Sequence, residues 1–392
     1  MKLRLITVAV LLSLGGCSAV KSMGSSVGDT VGGWFGSNAA KEAAKPSALV
    51  VFKPTVAISE AWKARAGDTG GRLFSPAANA DSVFVASSGN VSRLNMQNGA
   101  TVWKFETGTP LSAGTGVGEG LVLAGGSKGE LFALDAATGK LRWKVRLSSE
   151  VTGQLRVVGD TVIARTGDGR VQGLSVADGS RKWLYSRNLP SLSLRGSGGL
   201  LARDGVIYAG FAGGKLVALN AASGAQLWEA TVALPRGATE LERVADVMGN
   251  PVADDKRVCA VAYQGRVACF ELKAGTPLWA RDTSSNSGLA MDEKNLYVTD
   301  DKDAITAYDK EAGRAAWRQD KLARRRVTAP LALGTMIAVA DAQGYVHLLS
   351  AEDGAFVGRA QMDAGAASAP VDIGPGVAVQ TVKGTVVAFK LK

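Results

Sequence analysis

The sequence is 392 residues long, with 46% apolar and 20% charged residues and a formal net charge of +10. An apolar share of this size is enough to bury a core, which excludes a chain that is disordered throughout. The 49 glycines favour a fold with many tight turns, and short alternating apolar runs prevail over amphipathic helical patterns. The composition therefore predicts an all-β protein.

Residues 1–16 have the pattern of a signal peptide. A basic start precedes an apolar run of about ten residues, which is too short to span a bilayer. The run ends in Leu-Gly-Gly-Cys at residues 14–17, which resembles the lipobox of bacterial lipoproteins. The resemblance implies cleavage before Cys17 and lipid chains on Cys17; an ordinary signal peptide with an incidental cysteine is the alternative. Ser18, where an Asp would signal inner-membrane retention, implies the outer membrane, facing the periplasm.

Two further segments follow the signal peptide. Residues 17–54 are rich in Gly, Ser, Ala and Lys, and predict a lipidated cysteine followed by a flexible tether. Residues 55–392 carry internal repeats. Because repeated units bury their faces against one another, we expect a single domain there, although the length alone favours two or three.

A unit of about forty residues recurs along the repeat region. It is clearest in residues 129–143, which read as a turn glycine, a strand, a tight turn at Gly139 and a second strand ending on Trp143. Successive units open at intervals of 40, 40, 45, 51, 38, 41 and 40 residues. The opening residues are Gly89, Gly129, Gly169, Gly214, Gly265, Asp303, Gly344 and Gly384. Such a period, with four strand-like runs per unit, is typical of a β-propeller.

The eighth unit lacks its last strand. After its opening residue Gly384, residues 385–389 form one strand, and the chain stops at Lys392. Residues 55–62, which end on Trp62, have the strand-to-Trp character of the missing piece, and pairing the two ends would leave no open sheet edge. The sequence predicts an eight-bladed β-propeller of four-stranded antiparallel blades, closed by its N- and C-terminal strands. Seven blades is the alternative if the first strand packs elsewhere.

Seven of the eight tryptophans occupy the same phase of the repeat. A Trp at a fixed structural phase is far more often part of a core than of a cofactor site. We expect each ring to wedge between adjacent blades and to bury roughly 150–250 Å². The seven residues are Trp62, Trp103, Trp143, Trp183, Trp228, Trp279 and Trp317.

Residues able to support catalysis are scarce. His347 is the only histidine, and other repeats place side chains as different as Ser, Phe and Gln at its position, so we expect a surface site on an outer strand. No Ser-His-Asp or Cys-His set, CxxC pair, HExxH motif or EF-hand loop is visible. The sequence predicts a protein that is not an enzyme and that has no cofactor and no metal.

The two cysteines of the repeat region flank one turn. Cys259 and Cys269 lie on either side of Gln264-Gly265. If that turn has two residues, position 260 faces position 269, and the two cysteine side chains point to opposite faces of the sheet. Two buried free thiols are therefore predicted rather than a disulfide, despite an oxidising periplasm.

The basic net charge favours an anionic partner. An exported protein meets no nucleic acid in the normal course, so anionic lipid headgroups or acidic protein surfaces are the better candidates. The densest basic run, at residues 324–326, is predicted to be a solvated loop.

Two connections are longer than the rest. The distance from the Trp to the next opening residue is 26 residues after Trp143, but 31 after Trp183 and 37 after Trp228. The extra residues predict two neighbouring loops on the face of the glycine turns, where binding residues usually lie.

The contents of these loops favour a protein partner. The first, residues 189–196, places Leu192 and Leu194 in alternation beside Arg195, and the second, residues 237–246, is acidic. Apolar anchors with charge at the rim could dock the edge of a partner's sheet. The alternative is that the two leucines fold into the neighbouring blade.

The lipobox, the tether, eight repeats of the pyrroloquinoline-quinone (PQQ) type and Leu-Pro-Ser-Leu-Ser-Leu-Arg-Gly at residues 189–196 together resemble the BamB family of lipoproteins. The resemblance implies a non-enzymatic scaffold on the periplasmic face of the outer membrane, monomeric within a hetero-complex. It would bind the POTRA domains of the central barrel subunit of the β-barrel assembly machinery and assist folding and insertion of barrel proteins. Nascent outer-membrane proteins are a further candidate partner.

The same resemblance assigns residues to the contact. The contact with the POTRA domains maps onto Leu192, Leu194, Arg195 and Asp246. The family often has a second acid two positions after the last of these, where this chain has Met248. The acidic half of the contact is therefore reduced by one carboxylate.

Two other classes share parts of the pattern. Quinoprotein dehydrogenases have the same repeat, but they are typically longer, with adjacent cysteines over the cofactor and a carboxylate-rich calcium site. This chain contains no Cys-Cys pair. A propeller that binds peptidoglycan or lipopolysaccharide is the third hypothesis, and the basic charge alone supports it.

Overall fold

The computed structural model describes residues 45–194 and 198–392. The predicted signal peptide, Cys17 with the tether up to residue 44, and Arg195 lie outside the described residues. Within the described part every regular element is a β-strand, and no helix there is long and apolar enough to cross a membrane. Residues Ser47–Lys392 form one compact unit.

Thirty-two strands run along that unit. They are β1 (Ile58–Arg65), β2 (Ala77–Ala78), β3 (Ser82–Ala86), β4 (Asn90–Asn95), β5 (Thr101–Glu106), β6 (Gly116–Gly118), β7 (Leu121–Gly125), β8 (Glu130–Asp135), β9 (Leu141–Arg146), β10 (Val151–Val158), β11 (Thr161–Thr166), β12 (Arg170–Ser175), β13 (Arg181–Ser186), β14 (Leu200–Arg203), β15 (Val206–Phe211), β16 (Lys215–Asn220), β17 (Gln226–Thr231), β18 (Val247–Ala253), β19 (Arg257–Ala262), β20 (Arg266–Glu271), β21 (Pro277–Asp282), β22 (Gly288–Met291), β23 (Asn295–Thr299), β24 (Ile305–Asp309), β25 (Ala315–Gln319), β26 (Leu331–Leu333), β27 (Met336–Ala340), β28 (Tyr345–Ser350), β29 (Phe356–Gln361), β30 (Val371–Asp372), β31 (Gly376–Gln380) and β32 (Thr385–Leu391).

These strands form eight four-stranded antiparallel sheets, each of which is one blade. Blades 1 to 7 each use four consecutive strands, from β2–β5 to β26–β29, and blade 8 combines β30, β31 and β32 with β1. The first strands of successive blades contact one another all the way round, from β2 through β30 and back to β2, so they line the centre of a closed ring. The prediction of eight blades is confirmed.

The ring closes through the two ends of the chain. Strand β1 pairs antiparallel with β32, from Ile58 opposite Leu391 to Arg65 opposite Thr385. This confirms the predicted closure and removes the seven-bladed alternative. The strand begins at Ile58, three residues later than the sequence pattern predicts, because residues 55 and 56 hydrogen-bond to blade 7 instead.

The tryptophans join each blade to the next, as predicted. Each indole N–H donates to a main-chain carbonyl of the following blade, close to the turn before its outermost strand. The pairs are Trp62 to Met96 (2.8 Å), Trp103 to Ala136 (3.0 Å), Trp143 to Val176 (2.8 Å), Trp183 to Ala221 (2.9 Å), Trp228 to Leu272 (3.3 Å), Trp279 to Lys310 (2.9 Å) and Trp317 to Ala351 (3.0 Å). The ring itself lies against the glycine of that turn. At Gly179, with φ of 74°, a Cβ would lie 2.7 Å from the Trp143 ring.

The interface between blades 7 and 8 has Gly358 in place of Trp, and the chain ends explain the exception. Between β32 and β1 there is no hairpin turn to receive an indole, because these strands are the two ends of the propeller. The incoming chain fills the space instead. The amides of Thr55 and Val56 both donate to the Val357 carbonyl at 3.0 Å, and a Cβ on Gly358 would lie 3.2 Å from the Val56 carbonyl oxygen.

Cys259 and Cys269 form a disulfide, so the prediction of two free thiols is wrong. Residues 263–265 connect β19 to β20, and this three-residue connection places Cys259 directly opposite Cys269, with 4.1 Å between the Cα atoms. The additional turn residue shifts the strand register by one position and brings both side chains to the same face. Gln264 takes a left-handed conformation there, with φ of 48°.

We expect loss of this disulfide to lower the free energy of unfolding by about 3 kcal/mol, since it closes a short loop in the unfolded chain. Chemical denaturation of the wild type and of Cys259→Ala/Cys269→Ala, each with and without reductant, measures the change. Reductant should shift the wild-type midpoint and leave that of the variant in place. Equal midpoints for the wild type under both conditions would contradict the bond.

His347 is fully buried, so the predicted surface site is also wrong. The equivalent residues of the other repeats are buried as well, so their variety reflects differently filled interior space. They are Ser92, Phe132, Gln172, Val217, Ala268, Thr306 and Val387. The basic run at 324–326 divides: Arg324 and Arg326 are exposed, as expected of a solvated loop, whereas Arg325 is buried and its Nε lies 2.6 Å from an Asp341 carboxylate oxygen.

Candidate partner-binding surface

The two long connections meet, as predicted, where the Leu194 N–H donates to an Asp246 carboxylate oxygen at 2.6 Å. The first, residues 187–199, joins blade 3 to blade 4, and the second, residues 232–246, joins blade 4 to blade 5. Gly198 bridges to Gly249 at the start of blade 5, and the Leu200 N–H donates to Asn250 Oδ1 at 3.3 Å.

Both connections also rest on the glycine turns, which confirms the predicted face. The Gly169 turn lies against the first connection, where the Arg187 N–H donates to the Gly169 carbonyl at 3.3 Å. The Gly214 turn lies against the second, where the Val232 N–H donates to the Gly214 carbonyl at 2.8 Å. Each loop is therefore supported by the blade that precedes it.

Asp246 holds the two loops together from beneath. Asp246 is only 4% exposed, and one carboxylate oxygen accepts the Leu194 N–H at 2.6 Å while the other accepts the Gly213 N–H at 3.1 Å. Its carbonyl accepts the Tyr263 N–H at 2.8 Å. Asp246 thus connects the first loop, a glycine turn of blade 4 and the turn of blade 5 that follows the disulfide-linked strand β19.

Arg165 is a second buried group below the first loop, and sequence reasoning missed it. Its guanidinium donates to the Gly210 carbonyl and lies 4.6 Å from the centre of the Phe211 ring. A Cβ on Gly198 would overlap this guanidinium, so the loop returns to blade 4 directly over it. Burial lowers the pKa of Arg165 to about 10, and the negative charge of Asp246 opposes that shift. The sequence feature that could have revealed this buried charge is a single arginine in strand β11, whose other residues are apolar or threonine.

The loops carry a group of exposed leucines. Single exposed leucines are ordinary, but here several lie on two adjacent loops. Leu192 is 47% and Leu194 36% exposed, which removes the alternative that they fold into the neighbouring blade. The group consists of Leu189, Leu192, Leu194, Leu234 and Leu241.

The tip of the second loop is braced internally. The Glu242 carboxylate accepts the amides of Ala238 and Thr239 at 2.8 and 3.1 Å, and these hydrogen bonds, Thr239 first, lower the pKa of Glu242. Arg243 Nε donates to the Gly237 carbonyl at 3.0 Å. Glu242 is therefore occupied within the loop, and Leu241 is displayed beside it.

Within the described ranges, no group of three or more His, Cys, Asp or Glu side chains is placed to hold a metal ion. The ring of PQQ-type repeats and its paired loops define the class: an eight-bladed propeller scaffold that presents a braced apolar surface. A sequence model of the family described as "Outer membrane protein assembly factor BamB" matches residues 87–319 and 302–392. The chain belongs to the BamB family.

Individual relatives carry the same description. The chain is 40% identical over 348 residues to "Outer membrane protein assembly factor BamB" of Burkholderia pseudomallei, covering 88% of this chain and 91% of that protein. It is 38% identical over 349 residues to the protein so described from Bordetella pertussis, covering 88% and 90%. The crystal structure of BamB from Moraxella catarrhalis superimposes with a TM-score of 0.80 at 28% identity, covering 85% of this chain and all of that one.

The dehydrogenase propellers share the fold alone. Quinohemoprotein alcohol dehydrogenase from Comamonas testosteroni superimposes with a TM-score of 0.69 but only 15% identity, covering 85% of this chain and 76% of that one. At this identity the likeness reflects the ring of blades and says nothing about catalysis.

Proposed function

We propose that this protein is a non-enzymatic subunit of the outer-membrane protein assembly machinery, and that its paired loops bind the POTRA domains of the central barrel subunit. The names of its relatives support the assembly role. The observation that carries the binding site is the buried Asp246 carboxylate, which fixes the main chain at Leu194 beneath exposed side chains. A contact of this kind would assist folding and insertion of barrel proteins by holding the complex together.

Pre-organisation explains why such a small surface would suffice. A loop that is already fixed loses little conformational freedom on binding, so more of the apolar contact appears as affinity. Leu192 and Leu194 would enter apolar pockets of the partner, and Arg195 would supply charge at the rim. Asp246 would act as a positioning residue, because its carboxylate is turned towards Leu194 and Gly213 rather than towards solvent.

We further propose that the mature protein is held on the periplasmic face of the outer membrane by lipid on Cys17. The Leu-Gly-Gly-Cys pattern at residues 14–17 and the relatives' names support this location. The net charge is +10 for the full sequence and +8 once Lys2 and Arg4 are removed with residues 1–16, which is compatible with nearby anionic headgroups.

The proposed site is tested by Leu192→Ala against Leu278→Ala. Both leucines are 47% exposed, but Leu278 lies on the outer strand of blade 5, away from the loops. Removing an anchor should cost about 2 kcal/mol, or roughly thirtyfold in Kd for the purified POTRA domains. The Leu278 variant should bind like the wild type. Full retention of the barrel subunit by Leu192→Ala/Arg195→Ala in membrane pull-downs would reject the site.

A further inference from the structure

Residues 47–55, here called the strap, run along the outside of blade 7 before β1 begins. At one end the Ser47 N–H donates to the Ala323 carbonyl at 3.0 Å, and the Ser47 hydroxyl donates to the Lys321 carbonyl at 2.9 Å. At the other end the Thr55 N–H donates to the Val357 carbonyl at 3.0 Å. The strap has no strand pairing of its own, so side chains of blade 7 and of the loop before it provide the rest of its support.

Two arginines hydrogen-bond to main-chain carbonyl groups of the strap. Arg325 Nη1 donates to the Ser47 carbonyl and Arg359 Nη1 to the Val50 carbonyl, both at 2.9 Å. The Arg359 guanidinium also lies 4.9 Å from the centre of the Phe52 ring, which stacks on Phe356 with 5.6 Å between centroids. Displacing Arg359 would therefore loosen the middle of the strap.

Both arginines are tied to the buried His347. Asp341 Oδ2 accepts Arg325 Nε at 2.6 Å and lies 2.9 Å from His347 Nε2. Arg359 Nε donates to His347 Nδ1 at 3.1 Å. The charged and titratable groups around the imidazole are thus Asp341 from the turn before β28, Arg325 from the loop between blades 6 and 7, Arg359 from β29, and the Tyr345 ring on β28 at 6.1 Å.

This geometry requires a neutral histidine of one tautomer. A guanidinium can only donate, so Nδ1 facing Arg359 Nε has to accept, and the ring proton lies on Nε2 facing the carboxylate. A second proton on Nδ1 would place an N–H against the N–H of Arg359 and add a positive charge beside it.

We propose that this cluster is an acid-sensitive latch, in which protonation of His347 Nδ1 displaces Arg359 and frees the strap from blade 7. The nine strap residues, about 30 Å long when fully extended, would then be free of the surface of blade 7. The latch would thus control whether the segment just before β1 is held on the surface of the propeller.

The direction of the titration supports the latch. Burial lowers the pKa of His347, Asp341 raises it, and Arg359 and Arg325 lower it further, leaving it below the ordinary value of 6.5. The unfolded chain therefore takes up this proton at a higher pH than the folded one. The stability contributed by neutral His347 is present above 6.5 and is lost as the pH falls through the lower, folded value.

Because His347 is the only histidine, the Hε1 proton of its imidazole gives a single histidine Hε1 signal in the full chain. We expect that signal to titrate below pH 6.5. Hydrogen-exchange protection of the Ser47, Thr55 and Val56 amides, corrected for intrinsic rates, should fall at least tenfold over the same range. The Thr107 amide of blade 1 serves as the internal control. Protection that persists after the imidazole is protonated, or a midpoint at or above 6.5, would overturn the latch.

His347→Gln provides the matched variant, since an amide can donate to Asp341 and accept from Arg359 without titrating. Its strap should stay protected at every pH at which the wild type loosens. Equal loss of protection in the variant and the wild type would show that another group triggers release. If the variant does not fold, the NMR titration and the exchange of the wild type still decide the question.

Discussion

Trp143→Ala is expected to lower the free energy of unfolding of the propeller by about 3–5 kcal/mol, as for other buried aromatic residues cut to alanine. Trp143 is 8% exposed, and its indole donates to the Val176 carbonyl at 2.8 Å and covers Gly179. Its loss opens a cavity between blades 2 and 3 and leaves a carbonyl without its donor. Urea denaturation followed by circular dichroism measures the change.

Leu141→Ala is the control for this experiment. Leu141 lies two residues before Trp143 on the same strand but is 44% exposed, so its removal should cost well under half as much. Gly179→Ala tests the same contact from the glycine side. Its Cβ would collide with the indole, and the φ of 74° disfavours any side chain. A midpoint for Trp143→Ala equal to that of Leu141→Ala would mean that the indole does not join the blades.

The fold could be predicted from the sequence because one physical unit is repeated. Seven of the eight copies place a Trp at the same position, and its contact with a turn glycine of the next blade fixes how the two blades pack. Gly358, the one copy without its Trp, also fits the pattern. It marks the interface where no turn follows, because Ile58 and Leu391 pair across the chain ends.

Two sequence predictions are wrong, each for a physical reason. In the first, one turn residue changes the register of two strands; in the second, a buried position varies in residue type. A single additional turn residue, Tyr263 before Gln264-Gly265, reverses the expected faces of Cys259 and Cys269. Nothing in the residue types decides between a two-residue and a three-residue turn there. His347 was expected at the surface because its position varies, yet packing between blades tolerates different side chains when neighbours compensate.

The sequence predicts some features of the candidate partner-binding surface and not others. The position of the loops and the exposure of Leu192 follow from repeat spacing and alternation. The burial of Asp246 does not, because it depends on a main-chain N–H at Leu194, 52 residues away in the chain. Sequence patterns indicate which residue types are present, whereas the direction of a carboxylate depends on contacts that only the folded ring creates.

Asp246→Ala is therefore expected to damage both stability and binding. It removes the acceptor of the Leu194 and Gly213 amides and the negative charge near buried Arg165. Removing one partner from a buried charged arrangement costs about 3–5 kcal/mol, far more than the loss of an exposed ion pair. Asp160→Ala is the control, since Asp160 pairs with Lys182 at the surface and its removal should change stability far less than the removal of Asp246.

Affinity measurements distinguish whether Asp246 positions the first loop or contacts the partner directly. If Asp246 positions the first loop, Asp246→Asn should recover part of the affinity for the POTRA domains, because the amide oxygen can still accept the Leu194 N–H. If the carboxylate instead contacted the partner directly through its charge, Asn and Ala should weaken binding equally. Unfolding curves and Kd values measured on the same preparations distinguish these outcomes. An Asp246→Ala protein that is destabilised yet binds like the wild type would show that the leucines dock without a fixed loop beneath them.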